Sequence, residues 1–394
     1  MLFGKIDRDE YTHEQRIMAD FVNKLANQYG RDYWLAKAEK KEFPQEMWNE
    51  IAENGYFGLV IPREYGGAGL SFSDLRVFLE ELAKTGLFTL HFVSFFMDCI
   101  ILLHGHEELK REYFPQMAKG TYFSFALTEP NAGTNSLKIK TTAEKDGGCY
   151  RINGQKVFIT GADESRYMVL VARTMPYNQE SRESRKDGIS LFVLDSHAEG
   201  ISMQAQDVDI VTPDRQYTVF LDDVKVLAKN LIGEENRGFS YLLSGLNLER
   251  VIISCFSLGM GKYVLEKAVN YARERNIFGD PIGAYQGIQH PLSRAFIELQ
   301  LASLANRTAS KALDSAKQSA MTGMYANMAK LTSSEAAFHA CDAAIQTHGG
   351  YGLTKEYDVI NFSNAIRALR IAPVNNEMIL NYFGEHFLGL PRSY

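Results

Sequence analysis

Near residue 120 the apolar pattern changes its period, and near residue 237 it changes back. That double switch constrains the fold of the 394-residue chain more than any other feature. Before it, "HEQRIMADFVNKLANQYG" repeats apolar residues at helical spacing and stops at a glycine, which predicts a helix with a glycine end. "FPQEMWNEIAENGYFGLV", "SFSDLRVFLEELAKTG" and "FFMDCIILLHG" follow the same rule, and the loop "IPREYGGAGLS" interrupts them. Between the switches, "TYFSFALTEP", "CYRINGQKVFITG", "YMVLVART", "ISLFVLD" and "QYTVFLDDVKV" are short, rich in β-branched and aromatic residues, and bounded by turn formers. They read as strands. After the second switch, long helices are expected over 237–275, 286–318 and 323–347, and a last one over about 375–388. Helices of that length with little internal glycine suggest a bundle. The fold class is therefore α+β: an N-terminal helical domain (1–118), a central β-barrel or sandwich domain (119–232) and a C-terminal four-helix bundle (233–394).

Composition narrows the partners. A net charge of −6 gives no general attraction for nucleic acid. No apolar run approaches about 20 residues, so no membrane span is expected. The polar start "MLFGKIDRDEYTHEQ" does not read as a signal peptide. Cys99, Cys149, Cys255 and Cys341 lie far apart without metal-ligand spacing, so no metal site is expected. Three of them sit in apolar context as buried thiols, which fits a reducing, cytoplasmic location. The charged loop "MPYNQESRESRKDG", with Arg182, Arg185 and Lys186, reads as a solvated surface.

The residue that carries chemistry stands in "SGLNLERVIISC" (244–255). On a helix, Glu249 shares a face with Gly245, Leu246, Ile252 and Ile253. A carboxylate on such a stripe costs desolvation energy unless something answers it. It is either half of an ion pair with a core arginine or a base with a raised pKa. Arg250, one residue on, faces another side and is a poor partner.

Several stretches, in order, resemble the signature segments of the acyl-CoA dehydrogenase superfamily: "LVIPREYGGAGLS" (59–71), "ALTEPNAGTNS" (126–136), "INGQKVFITGA" (152–162), "RERNIFGDPIGAYQGIQ" (273–289) and "IQTHGGYGLTKEY" (345–357). The resemblance spans the whole chain and implies FAD. It assigns Phe125, Leu127, Thr128, Gly133 and Thr134 to the flavin edge and diphosphate. Phe158 falls against the isoalloxazine, where the family usually has Trp, and Thr160 falls near flavin N5. Arg275, Phe278, Gln286, Gln346 and Gly350 match positions that reach the FAD of a neighbouring subunit, which implies a homodimer or a homotetramer.

The implied reaction is oxidation of an acyl thioester: a carboxylate removes the α proton and the β hydrogen leaves as hydride to flavin N5. Most of the family places that base near the C-terminus, in a pattern like "YEGTSE". Here "LRIAPVNNEM" (369–378) puts Ala372-Pro373 at that place, with Glu377 about one turn further on. A minority of the family supplies the base from a helix reading "LER" or "QER", which "NLERVII" matches. Glu249 is then the catalytic base. Asn247 and Arg250 are expected to hold the pantetheine or phosphate end of the carrier. Ala372 is expected to offer a backbone N–H to the thioester carbonyl, which Pro373 has none to give. The run "APVNNEMILNYFGEHFLGLPRSY" resembles a biosynthetic branch acting on acyl carrier protein in polyketide or nonribosomal peptide pathways. The alternatives are a conventional acyl-CoA dehydrogenase of fatty- or amino-acid catabolism and a silent flavin-binding partner subunit. The electron acceptor is an electron-transfer flavoprotein or oxygen.

Overall fold

The computed structural model describes residues 3–178, 185–315 and 320–392. Its first helices are α1 (Gly4–Asp9), α2 (His13–Lys40), α3 (Gln45–Glu53), α4 (Phe72–Lys84), α5 (His91–Leu102) and α6 (Glu107–Ala118). Thr12 and Ser71 cap α2 and α4: each side chain accepts from the N–H of the residue three ahead, while Gln15 or Asp74 reaches back. That exchange satisfies donors that a helix start leaves open. The helix expected to stop at Gly30 does leave helical geometry there (φ 62°), yet it resumes and runs to Lys40. Glycine breaks α2 without ending it.

The strands are β1 (Phe123–Ala126), β2 (Thr142–Asp146), β3 (Cys149–Thr160), β4 (Tyr167–Arg173), β5 (Ile189–Asp195), β6 (Ile201–Gln206), β7 (Gln216–Leu227) and β8 (Leu231–Ile232). They form one eight-stranded sheet in the order β6-β7-β3-β2-β4-β5-β8, with β1 added to β4 in parallel. Sequence patterning misses β2, β6 and β8. The first two are largely polar and partly exposed, and the third is a single pair of residues, so cross-strand pairing rather than composition makes them strands. Along β4, Val169 and Val171 join the helical core, while Met168, Leu170 and Ala172 join a second core with Ile152, Phe192, Val219 and Leu221. Because neighbours on a strand point to opposite faces, the sheet wraps a core of its own and gives its other face to the helices.

The chain ends with α7 (Gly238–Glu274), a small ribbon of β9 (Asn276–Ile277) and β10 (Asp280–Pro281), α8 (Gln286–Asp314), α9 (Ala320–His348), α10 (Ser363–Ala368) and α11 (Asn376–His386). α7 packs along α8 and α9 and also against α4 and α5. By length and composition alone, α7 is apolar enough to cross a membrane. Its most apolar 18 residues have a mean hydropathy of 1.3, but 67% of that stretch is buried within the protein. A helix surrounded by neighbours is apolar all round. The contact is close: a Cβ on Gly259 would lie 2.4 Å from Ala83 Cβ and 2.7 Å from the Glu80 carbonyl on α4. Buried Lys262 of α7 donates to Asp7 (2.9 Å) and Glu80 (2.7 Å), which ties α1 and α4 to the same helix. All four cysteines are buried and free, including Cys149 on β3.

Candidate active site

Gly245 brings α7 against α5. A Cβ there would lie 2.7 Å from Ile101 Cγ1 and 2.9 Å from Met97 Cγ. Glu249 follows one turn later, with Leu248, Val251, Ile252 and Ile253 buried around it. It is half-buried, and among the described residues it makes no ion pair. Burial pushes its carboxyl up to about 7, against the opposing charges of Arg250 and Lys330. Arg250 is occupied elsewhere: its Nη1 donates to Asn247 Oδ1 at 2.8 Å. That pair faces the start of α9 and the side of α11, since a Cβ on Gly323 would lie 3.7 Å from Asn247 Oδ1 and 3.8 Å from the Tyr382 hydroxyl.

Two chains of hydrogen bonds run from the helices that flank α7. On α5, Ser94 Oγ and the Tyr122 hydroxyl share a hydrogen bond of 2.8 Å, and Tyr122 donates to the Thr160 carbonyl at 2.9 Å. On the other side, Lys330 of α9 donates to Asn376 Oδ1 at 2.7 Å and to the Arg370 carbonyl at 3.3 Å. The adjacent Asn375 donates from Nδ2 to Thr134 Oγ1 at 3.2 Å. Thr160 is thus tied through Tyr122 to α5, and Thr134 through Asn375 to the start of α11.

That turn is built from below. Buried Lys156 donates to the Leu127 carbonyl (3.0 Å) and to Glu129 (2.8 Å). Glu129 also accepts from the Lys140 and Thr141 N–H groups and from the Thr141 hydroxyl. The Thr128 carbonyl accepts from Val157 N–H at 2.8 Å, which zips the turn to β3. Phe125, Leu127 and Thr128 are half-buried, whereas Gly133 and Thr134 are exposed. Phe158 holds a left-handed backbone (φ 57°), a conformation uncommon outside glycine. Its N–H donates to Gln206 Oε1 at 3.0 Å and its ring is 60% exposed. Thr160 shares hydrogen bonds with Gln216. An uncovered aromatic ring beside an open glycine turn fits a flat, partly anionic cofactor such as a flavin.

Beneath Thr160 lies a group that no motif announced. His91 meets Asp214 through Nδ1 (2.7 Å) and Glu164 through Nε2 (2.6 Å). Burial alone would lower its pKa, but the two carboxylates raise it to about 9, so an imidazolium supports this strand end. Gly161 has to be glycine: its φ is 57°, and a Cβ would lie 2.3 Å from His91 Nε2. Asp98 and Lys330 were missed as well. Asp98 carried the same signal as Glu249, an acid within an apolar helix.

The remaining cofactor candidates gather elsewhere. A cavity of about 760 Å³ is lined by Tyr271, Arg275, Phe278, Gln346, Gly350 and Tyr351, among others. Gln286 follows the lining residue Tyr285 at the start of α8 but does not line the cavity. Phe278 is 94% exposed. Along α7, Arg275 is roughly 40 Å from Glu249 at 1.5 Å per residue, a separation greater than one bound dinucleotide spans.

Ala372 is corrected. Its N–H donates to the Ala368 carbonyl at 3.0 Å, closing the turn after α10, so it is not free to polarise a thioester. Glu377 is exposed in the first turn of α11. Of the basic loop, Arg182 lies outside the described residues. Arg185 is half-buried and Lys186 exposed on the turn before β5.

A helical frame around a curled sheet, with a raised-pKa acid on its central helix and an uncovered aromatic ring beside a glycine turn, fits a flavin oxidoreductase. The N-terminal, middle and C-terminal domains of acyl-CoA dehydrogenase match residues 12–121, 124–224 and 236–388, and the chain belongs to that family, which acts on acyl thioesters with FAD as cofactor. It is 39% identical over 386 residues to the acyl-CoA dehydrogenase FadE12 of Mycobacterium tuberculosis (strain ATCC 25618 / H37Rv), covering 97% of this chain and 98% of that one. It is 34% identical to the caffeyl-CoA reductase-Etf complex subunit CarC of Acetobacterium woodii over 330 residues, 82% of this chain and 84% of that one. The crystal structure of the prolyl acyl carrier protein oxidase AnaB superposes with a TM-score of 0.88 at 25% identity, covering 96% and 100% of the two chains.

Proposed function

We propose that Glu249 is the base of an acyl-CoA dehydrogenase and removes the α proton of the bound thioester. The observation that carries this reading is a half-buried carboxyl with no ion-pair partner among the described residues and a pKa raised by burial to about 7. A base works best when its pKa lies near the working pH. FAD, when bound, accepts the β hydrogen. Phe158, Thr160, Thr128, Gly133 and Thr134 hold the flavin half of the cofactor. The Asn247–Arg250 pair meets the pantetheine or phosphate end of the carrier. Arg275, Phe278, Gln286, Gln346 and Gly350 serve the FAD of a second subunit, and the distance along α7 supports that division. The chain acts as three units, 1–118, 119–232 and 233–394. The likeness to FadE12 favours CoA as carrier, and that to the Etf-linked CarC favours an electron-transfer flavoprotein as acceptor. The likeness to AnaB supports a second reading, in which the acyl group rides on a carrier protein.

The test is anaerobic bleaching of the bound flavin by acyl thioesters. Glu249→Gln is expected to keep its flavin and to bleach at least about a hundredfold more slowly, the scale of losing a general base. Wild-type bleaching in that variant would remove Glu249 from the mechanism.

A further inference from the structure

Asp98 is the most unusual polar group the mechanism leaves unused. It lies on α5 among Phe95, Phe96, Cys99, Ile100, Ile101 and Leu102, all buried. Its side chain is fully buried, and among the described residues neither carboxyl oxygen has a hydrogen-bond partner. A buried polar group without a partner is costly, and native structures seldom keep one without a use.

Its position suggests the use. Asp98 follows Met97, which touches Gly245, and Glu249 sits one turn beyond Gly245 on the facing helix. Ser94, one turn back on α5, is joined through Tyr122 to the Thr160 carbonyl. The Asp98 face of α5 is therefore bounded by the proposed base on one side and the flavin-facing strand end on the other. The charge of Glu249 is felt at Asp98, and the charge of Asp98 at Tyr122. Burial, with the Glu249 charge next to it, pushes the Asp98 carboxyl well above the usual range, which favours its neutral form. A neutral carboxyl offers one O–H donor and one carbonyl acceptor. Among the described residues, no group takes up either one.

We propose that Asp98 is a specificity-determining residue that hydrogen-bonds a hydroxyl on the acyl chain beyond the carbons being oxidised. The inference rests on the proposed role of Glu249. A hydroxyl matches the neutral acid as acceptor and donor at once. An unsubstituted chain leaves both functions open, and sites built to bond a hydroxyl reject analogues that lack it.

The experiment measures kcat/KM for butyryl-CoA, 4-hydroxybutyryl-CoA and 4-aminobutyryl-CoA with the purified flavin-loaded enzyme, its Asp98→Leu variant and its Asp98→Asn variant. Wild type is expected to prefer the hydroxy substrate to butyryl-CoA by at least about tenfold. Asp98→Leu is expected to lose that preference through the hydroxy substrate while keeping or improving turnover of butyryl-CoA. Asp98→Asn, which retains a donor and an acceptor, is expected to keep part of the preference, and it carries the test if the leucine variant does not fold. Equal ratios in wild type and variants would overturn the role of Asp98 and leave Glu249 untouched. A wild-type preference for the amino substrate would overturn the hydroxyl assignment. Failure of every thioester to bleach the wild-type flavin would overturn the Glu249 reading, and this inference with it.

Discussion

Glu249 does its proposed work because burial keeps much of the water from it. An ordinary glutamate pKa is near 4.5, and burial moves this one to about 7. The sign of the consequence is fixed for both rate and stability. Ionised Glu249 is the active form, so the rate of flavin bleaching is expected to rise with pH and reach half its plateau near pH 7. A profile already flat at pH 5.5 would contradict the raised pKa. The same shift penalises the folded state once the unfolded chain ionises. Stability should therefore fall as pH climbs from about 4.5 to about 7 and then level off, at about 1.4 kcal/mol for each pKa unit. Glu249→Gln removes that slope, so its thermal midpoint should gain on wild type as pH rises through this window. Glu249 was legible from sequence because an acid on an apolar stripe has few structural explanations. Asp98 offered the same cue, but only the packing of α5 on α7 puts it next to the base.

At the scale of elements, α7 is the organising piece, and its glycines set how near its neighbours come. Helix propensity favours Ala over Gly by about 1 kcal/mol in a helix interior. Gly259→Ala is nevertheless expected to destabilise by about 1–3 kcal/mol, because the new methyl meets α4 main chain that cannot move aside. The readout is a thermal midpoint lower by a few degrees, and a midpoint at or above wild type would show that α4 and α7 can separate. The long helices were readable because their apolar period persists over several turns. The strands β2 and β6 were not, since their edges are partly wet and their neighbours decide their state. The break in α2 shows the limit of a local signal: Gly30 leaves the helix, yet packing on both sides restores it.

At the scale of the whole molecule, Glu249 and Arg275, proposed to serve the FAD of different subunits, stand roughly 40 Å apart along α7. Light scattering is expected to report a dimer or a dimer of dimers. Arg275→Glu is expected to lower the flavin-to-protein ratio severalfold with the circular dichroism spectrum unchanged. A monomer with full flavin content, or undiminished flavin in the variant, would contradict a shared site. The family motifs proposed both groups, since each is a contiguous run of residues. The distance between them came only from the fold.

Sequence by itself determined the order of helical and β segments, the acid on α7 and the family, because periodicity and contiguous motifs are local properties of the chain. Tertiary structure decided what surrounds each group. It gave Arg250 to Asn247, took the Ala372 N–H into a turn, set an imidazolium under Thr160 and left Asp98 without a partner beside Glu249. Burial and charge depend on neighbours distant in the chain, and pKa and hydrogen-bond supply depend on burial and charge.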